Sequence, residues 1–319
     1  MFFLLFIFFC LGLIFGSFST VLIERWHSGK WGIMMGRSEC SHCHHILGTR
    51  DLFPLFSYIL SRGKCSHCSV TIPVFYPMAE LLMASIFAIV AYAGLRMGID
   101  PVSSEMLLLL LFAFTTGVYI LYDLRYMEIP DQIMVPTISL LLAIPFFSIL
   151  FSWYSEYTFH TFHISLFDRL FWALILYTFF YLQILIPGIY YLMRNRDWKH
   201  SIELCISYVT FPIMMLVEIW RKPKWEDTLE IPTWIGGGDL RIAIFSWLTL
   251  GVVHGIASFA FAYMIGSIVW IGMILYNQIR GKQTQSQIPF WPFLGIGWIA
   301  SIVLYPEIIV LYDILSTGQ

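Results

Sequence analysis

Apolar runs long enough to cross a bilayer recur along most of this chain. A hydrocarbon core needs about 20 apolar residues per helix, and the runs predict about eight spans: roughly 2–23, 78–96, 105–122, 132–151, 168–192, 239–254, 256–277 and 291–315. Only the weak break from Gly251 to Gly255 separates the sixth from the seventh. The opening segment, Met1 to Phe18, has the apolar character of a signal peptide but no basic start and no small-residue cleavage site. It is expected to stay as the first span.

Basic residues orient these spans, because cytoplasmic loops collect Lys and Arg. With the N-terminus outside, all of the 18 Lys and Arg except Arg96 and Arg169 fall on the cytoplasmic side. The loop 152–167 carries no Lys or Arg, as an external loop should. The segment 203–220 is apolar but broken by Pro212, and basic residues flank it on both sides: Arg194, Arg196 and Lys199 before it, Arg221, Lys222 and Lys224 after it. It is expected to be re-entrant or interfacial rather than a crossing.

Composition agrees with the pattern. Hydrophobic residues make up 59% of the chain and charged residues 12%, which excludes an ordinary soluble domain. A net charge of -2 points to no class of partner, and no nucleic-acid partner is expected. The predicted fold class is an all-α polytopic membrane protein of about eight transmembrane helices, with a small cytoplasmic zinc-binding loop domain after the first helix. The expected organisation is a first helix at 1–24, the cytoplasmic loop domain at 25–77, and a membrane domain at 78–319 with a cytoplasmic-side insertion at 193–235.

The polar stretch after the first span holds two tetrads, Cys40-Ser41-His42-Cys43 and Cys65-Ser66-His67-Cys68, with 21 residues between them. Paired CxxC turns are a zinc pattern: thiolates at i and i+3 bind one metal from a tight turn, and two turns complete a tetrahedron. Cys40, Cys43, Cys65 and Cys68 are the expected ligands. His42, His44, His45 and His67 are alternative donors, and two structural disulfides are the competing use of the four thiols. The other two cysteines, Cys10 and Cys205, lie in apolar segments.

Two carboxylates stand at predicted membrane borders on the cytoplasmic side. Asp123 ends the third span, and Asp239 follows Gly236-Gly237-Gly238 and opens the sixth. A charge at bilayer depth is costly, and is a functional candidate by default. Two facing carboxylates do not both ionise readily, so one keeps its proton and serves as general acid while the other activates water. The glycines let backbone approach a substrate strand closely. Each feature has a plainer reading: GGGD as a flexible turn with a helix cap, Asp123 as a helix-end carboxylate paired with Arg125. Asp131, after Pro130, competes with Asp123 but sits where ordinary capping places an acid.

These residues stand in motifs spread over most of the chain. Gly16-Ser17-Phe18 leads to Ile23-Glu24-Arg25, and Arg37-Ser38 precedes the first tetrad. Asp51-Leu52-Phe53-Pro54-Leu55-Phe56-Ser57-Tyr58 is followed by Arg62-Gly63-Lys64-Cys65. Tyr76-Pro77 precedes Glu80, Asp123 precedes Ile129-Pro130-Asp131, and Ile288-Pro289-Phe290 precedes Pro292-Phe293-Leu294. With the GGGD element, this set resembles the bacterial type IV prepilin peptidases, GxGD membrane aspartic proteases of type IV pilus and type II secretion systems.

The resemblance implies an inner-membrane enzyme with Asp123 and Asp239 as its catalytic pair. It would cleave the basic leader of prepilins or pseudopilins after a Gly at the cytoplasmic border. It also implies N-methylation of the new N-terminus with S-adenosylmethionine, a reaction in which the family's zinc loop is implicated; no glycine fingerprint in this chain marks a methyl-donor site. The other partners it implies are membrane lipids. Trp291 stands where the family usually has Gly, Thr20 where it has Asn, and Glu24 where it has Tyr. The two aspartates are 116 positions apart, where the family usually places two spans between them, so 193–235 is the expected insertion. The competing functions are a catalytically silent zinc-bearing assembly factor, disfavoured by the presence of both aspartates, and a GxGD intramembrane protease of other substrates. The full cysteine loop argues against the second.

Overall fold

A computed structural model of the chain describes residues 1–28, 37–127, 237–280 and 291–317, and part of 174–194. Among the described residues the fold is helical, with no named strand, and the chain is a multi-pass membrane protein. The helices are α1 (Phe2–His27), α2 (Phe56–Leu60), α3 (Phe75–Arg96), α4 (Ser104–Tyr126), α5 (Gly237–Ile279), α6 (Trp291–Val303) and α7 (Tyr305–Thr317). By length and apolarity α1, α3, α4 and Val253–Ile279 of α5 each suffice to cross a membrane. The pair α6 and α7 suffices jointly, interrupted at Leu304. Pro306 lies just past that break; its ring clashes with the carbonyl four residues back and it has no N–H to donate.

Local chemistry sets the helix ends. Tyr76-Pro77 falls in the first turn of α3, where a proline costs no hydrogen bond. The Ser103 hydroxyl caps α4 by accepting from the Met106 amide at 3.2 Å. Met127 ends the same helix in the left-handed region at φ 55, donating its N–H to the Asp123 carbonyl at 2.9 Å.

The predicted first, second and third spans correspond to α1, α3 and α4. The expected split into a sixth and a seventh span is corrected: Gly237 to Ile279 form one helix of 43 residues. Gly251 and Gly255 stand alone there with no proline nearby. A lone glycine costs a helix only about 0.5–1 kcal/mol relative to alanine, too little to end it. The predicted span at 132–151, Asp131, Gly236 and the segment 203–220 lie outside the described residues, as does nearly all of 193–235.

The chain forms two compact units, 1–130 with 283–307, and 131–282 with 308–319. In the first, α1 runs antiparallel along α3, and α4 packs against both. The approach of α1 to α3 is set by two glycines one helical turn apart. A Cβ on Gly12 would lie 2.5 Å from the Ala84 Cα, and one on Gly16 would lie 2.6 Å from the Glu80 Cα. Lipid supplies no hydrophobic drive between helices, so membrane packing rests on such small-residue contacts. The core between the helices is mainly apolar, with Ile23, Met83, Val90 and Ala113 fully buried and Ser19 and Thr116 enclosed among them. At the end away from the cysteine loop, Arg96 bonds the Glu307 carboxylate at 2.9 Å and the Val303 carbonyl at 3.4 Å.

Gly16→Ala should therefore force α1 away from α3 and lower stability by about 1–3 kcal/mol. Gly272→Ala, where no described residue lies within 4 Å of the added carbon, should be neutral or stabilising by up to about 1 kcal/mol. Thermal unfolding of the two variants in detergent checks this. Equal melting temperatures would mean that the α1–α3 contact does not limit stability.

Candidate metal centre and membrane-border site

The cysteine loop is built from one turn used twice, 25 residues apart. In the first copy the Cys40 amide donates to the His45 carbonyl at 3.0 Å, the His44 amide to the Cys40 carbonyl at 2.9 Å, and the Leu47 amide to the Ser38 carbonyl at 2.8 Å. In the second, Cys65 donates to Val70 at 2.8 Å, Ser69 to Cys65 at 3.0 Å, and Ile72 to Gly63 at 2.8 Å. His44 and Ser69, at equivalent places, both take positive φ, 53 and 60. Gly63 has φ +69, and an added Cβ would lie 3.0 Å from the Tyr58 ring, so the Arg62-Gly63-Lys64 motif needs its glycine here. Asp51 ties the copies together, accepting from the Gly48 amide and the Ser66 hydroxyl, both at 3.0 Å.

The two turns bring the sulfurs of Cys40, Cys43, Cys65 and Cys68 within 4.8 Å of one another. The Cys40 and Cys68 sulfurs are 3.9 Å apart. A tetrahedral zinc with Zn–S near 2.3 Å wants sulfurs about 3.8 Å apart, so the donor set fits a soft tetrahedral ion. All four thiols are free, not paired as disulfides. The four sulfurs close the shell by themselves. Of the alternative donors, His44 faces Glu39 at 3.7 Å, and the His45 and His67 rings stand 4.3 Å apart.

The electrostatics show what a cation would do at this site. Backbone N–H groups of Cys43, then His42, hold the Cys40 thiol down at about 6. The Val70 amide acts in the same direction on Cys68, but burial and the three other sulfurs override it and push that thiol up to about 12. Four thiolates do not share this space without a positive charge, so a cation bound here would couple its binding to loop folding.

The loop is fastened to the membrane helices at one end of the first unit. Glu80 of α3 accepts the Leu55 amide through Oε2 at 2.8 Å. Tyr76 donates its hydroxyl to Glu24 of α1 at 2.5 Å, and Arg125 of α4 bonds the same Glu24 oxygen at 3.1 Å. The Arg125 guanidinium also stands over the Phe75 ring at 4.5 Å. His27 stacks on Tyr126 at 3.7 Å. Asp123 lies beside this cluster, one turn before the end of α4, and is buried to 6% exposure.

Asp123 thus shares its end of the helices with the cysteine loop. Asp239 stands in the first turn of α5, after Gly237 and Gly238; its side chain, like Gly236, falls outside the described set, and it belongs to the second unit. Sequence reasoning used Glu24, Tyr76 and Glu80 only as motif letters. Their fixed spacing after Gly16 and Tyr76 was the available signal, but their convergence needs the three helices in place.

Residues 10–93 match the model of the bacterial peptidase A24 N-terminal domain. Nearly the whole chain is similar to a prepilin leader peptidase/N-methyltransferase of Bacillus subtilis (strain 168). The two are 25% identical over 98% of this chain and 99% of that one. A protein of the same name from Aeromonas hydrophila is 25% identical over 85% of this chain and 72% of its own length. One from Myxococcus xanthus (strain DK1622) is 40% identical over 79 residues, 25% of this chain and 23% of that one. No solved structure matches.

In metal-stripped protein near neutral pH, iodoacetamide should alkylate Cys40 first and Cys68 last. Because the Cys40 thiol is held at about 6, its rate should hold above that pH and drop as pH falls through it. Restoring the metal should protect all four. Mass spectrometry of tryptic peptides reads the order, and equal rates at the four positions would contradict the thiol ordering.

Proposed function

The chain belongs to the bacterial prepilin peptidase family, and on that premise we propose that it removes the basic leader of type IV prepilins or pseudopilins. Cleavage falls after Gly at the cytoplasmic membrane border, and Asp123 and Asp239 carry it. The observation that supports this most is the burial of Asp123 at the helix end that also bears the cysteine loop. A carboxylate at a membrane border is a functional candidate by default. Paired with a second carboxylate it shares one proton. The ionised member takes a proton from water as water attacks the scissile carbonyl, and the protonated member gives its proton to the leaving amine. Gly236, Gly237 and Gly238 leave room for substrate backbone beside Asp239.

The second activity is N-methylation of the new N-terminus, with S-adenosylmethionine supplying the methyl group. Zinc is the ion proposed for Cys40, Cys43, Cys65 and Cys68, since a loop with so little apolar core needs a metal to hold its halves together. The protein lies in the bacterial inner membrane with its N-terminus outside and the cysteine loop in the cytoplasm. The domain division is 1–24, 25–77 and 78–319, with 193–235 as a cytoplasmic-side insertion.

Asp123→Ala and Asp239→Ala should each reduce leader cleavage by about a thousandfold or more, while Asp131→Asn keeps most of it. The assay is purified protein with a prepilin peptide, read by gel shift. An active Asp123→Ala beside a dead Asp131→Asn would reassign the first catalytic position. Topology has its own test. A cysteine placed at position 200 or at 226 should be labelled only from the cytoplasm, because a crossing between them would strand Arg221, Lys222 and Lys224 outside. External labelling at 226 with protection at 200 would refute the arrangement.

A further inference from the structure

Between the cysteine loop and the ends of α1 and α3 lies a cavity of about 960 Å³, near the upper size of small-molecule sites, about 300–1,000 Å³. Its lining mixes the cations Arg25 and Lys64, the carboxylate of Asp51 and the ring of Tyr58, and it includes Glu80 of α3. Glu80 is 9% exposed and sits in the first turns of a membrane-spanning helix. Its partners among the described residues are neutral: the Leu55 amide at 2.8 Å and the Ser17 hydroxyl. Arg125 of the neighbouring helix α4 is held by Glu24 at 3.1 Å. A carboxylate offers about four lone-pair sites. Among the described residues no cation pairs with it. A buried carboxylate served only by neutral donors is a receptor for a positive charge.

The geometry points to Glu80 as the seat of the ammonium that leader removal creates, with the cavity above it as the chamber where that amine meets S-adenosylmethionine. This rests on the methyl-transfer reading given above. A primary ammonium has no lone pair and does not attack carbon, so it must first lose a proton. Glu80 takes that proton. The freed nitrogen lone pair then attacks the methyl carbon of the sulfonium. The N–C bond forms as the S–C bond breaks, its electron pair stays on sulfur, and S-adenosylhomocysteine and an N-methylammonium result. Tyr58 offers a ring face for the adenine, and Lys64 and Arg25 offer partners for the donor's carboxylate. The same carboxylate also holds Leu55, which adopts a positive φ of 60. A merely structural role for Glu80 would therefore be to pin the loop, and that role needs an acceptor but no charge.

Glu80→Gln separates the two roles, because the amide oxygen still accepts from Leu55 while the charge is gone. The full chain in detergent is titrated with a synthetic peptide that begins at the mature Phe and continues into an apolar helix. The peptide is made once with a free and once with an acetylated N-terminus. Wild type should prefer the free amine by about tenfold, and Glu80→Gln should bind both forms alike. With a full prepilin peptide and S-adenosylmethionine, the variant should keep cleavage within about twofold and lose methylation by about a hundredfold. A variant that still prefers the free amine and still methylates overturns the assignment, as does one that loses cleavage and methylation together. A wild-type protein that cleaves but never methylates refutes the methyl-transfer reading itself. A methylating wild type with an unaffected variant refutes only the role of Glu80.

Discussion

The first unit depends on how closely α1 lies on α3. Two missing side chains, at Gly12 and Gly16, let the helix backbones approach to a distance that any Cβ would forbid. Everything polar at that end follows from the register this contact sets. One and two turns beyond Gly16, Thr20 and Glu24 come up against the start of α3, where Tyr76 waits. Glu24 then takes the Tyr76 hydroxyl and Arg125 together, and that pair draws in the end of α4, where Asp123 is buried. Glu24 and Arg125 are 101 positions apart, and partly sheltered from water, so their bond gains more than an exposed pair would.

The cysteine loop answers to a different constraint. Its core is too small to fold on hydrophobic burial alone, and its two equivalent turns place four sulfurs in one small volume. Left bare, those thiols oppose one another, with one held low and one forced high. A cation bound there would turn that repulsion into the bond that joins the halves. The loop leans on the membrane helices through the Glu80–Leu55 bond, and a polar cavity remains beside it.

Much of this was legible in the chain. The spans of α1, α3 and α4 follow from apolar run length, and the repeated CxxC spacing announced a four-thiol site. The continuous α5 was misread because two glycines look like a break, whereas the cost of each is small and no proline reinforces it. Arg125 was assigned to Asp123 in the plainer reading because they are close in sequence. Residues two apart on a helix point in different directions, and Arg125 reaches α1 instead. Contacts of that kind depend on three helices meeting, which no local pattern encodes.

The central claim is that Asp123 and Asp239 work as one pair. A straight helix of 43 residues extends about 64 Å at about 1.5 Å per residue, twice the hydrocarbon thickness of about 30 Å. Asp239 stands at one end of that length, so the depth at which the first turn of α5 sits in the bilayer decides whether it meets Asp123. Replacing both aspartates by cysteine and oxidising the protein in its membrane measures this directly. The account predicts that a disulfide forms rapidly between positions 123 and 239 of the double variant, seen by mass spectrometry of the linked peptides. No cross-link, even with a bis-maleimide reaching about half the bilayer thickness, would contradict it and remove Asp239 from the site.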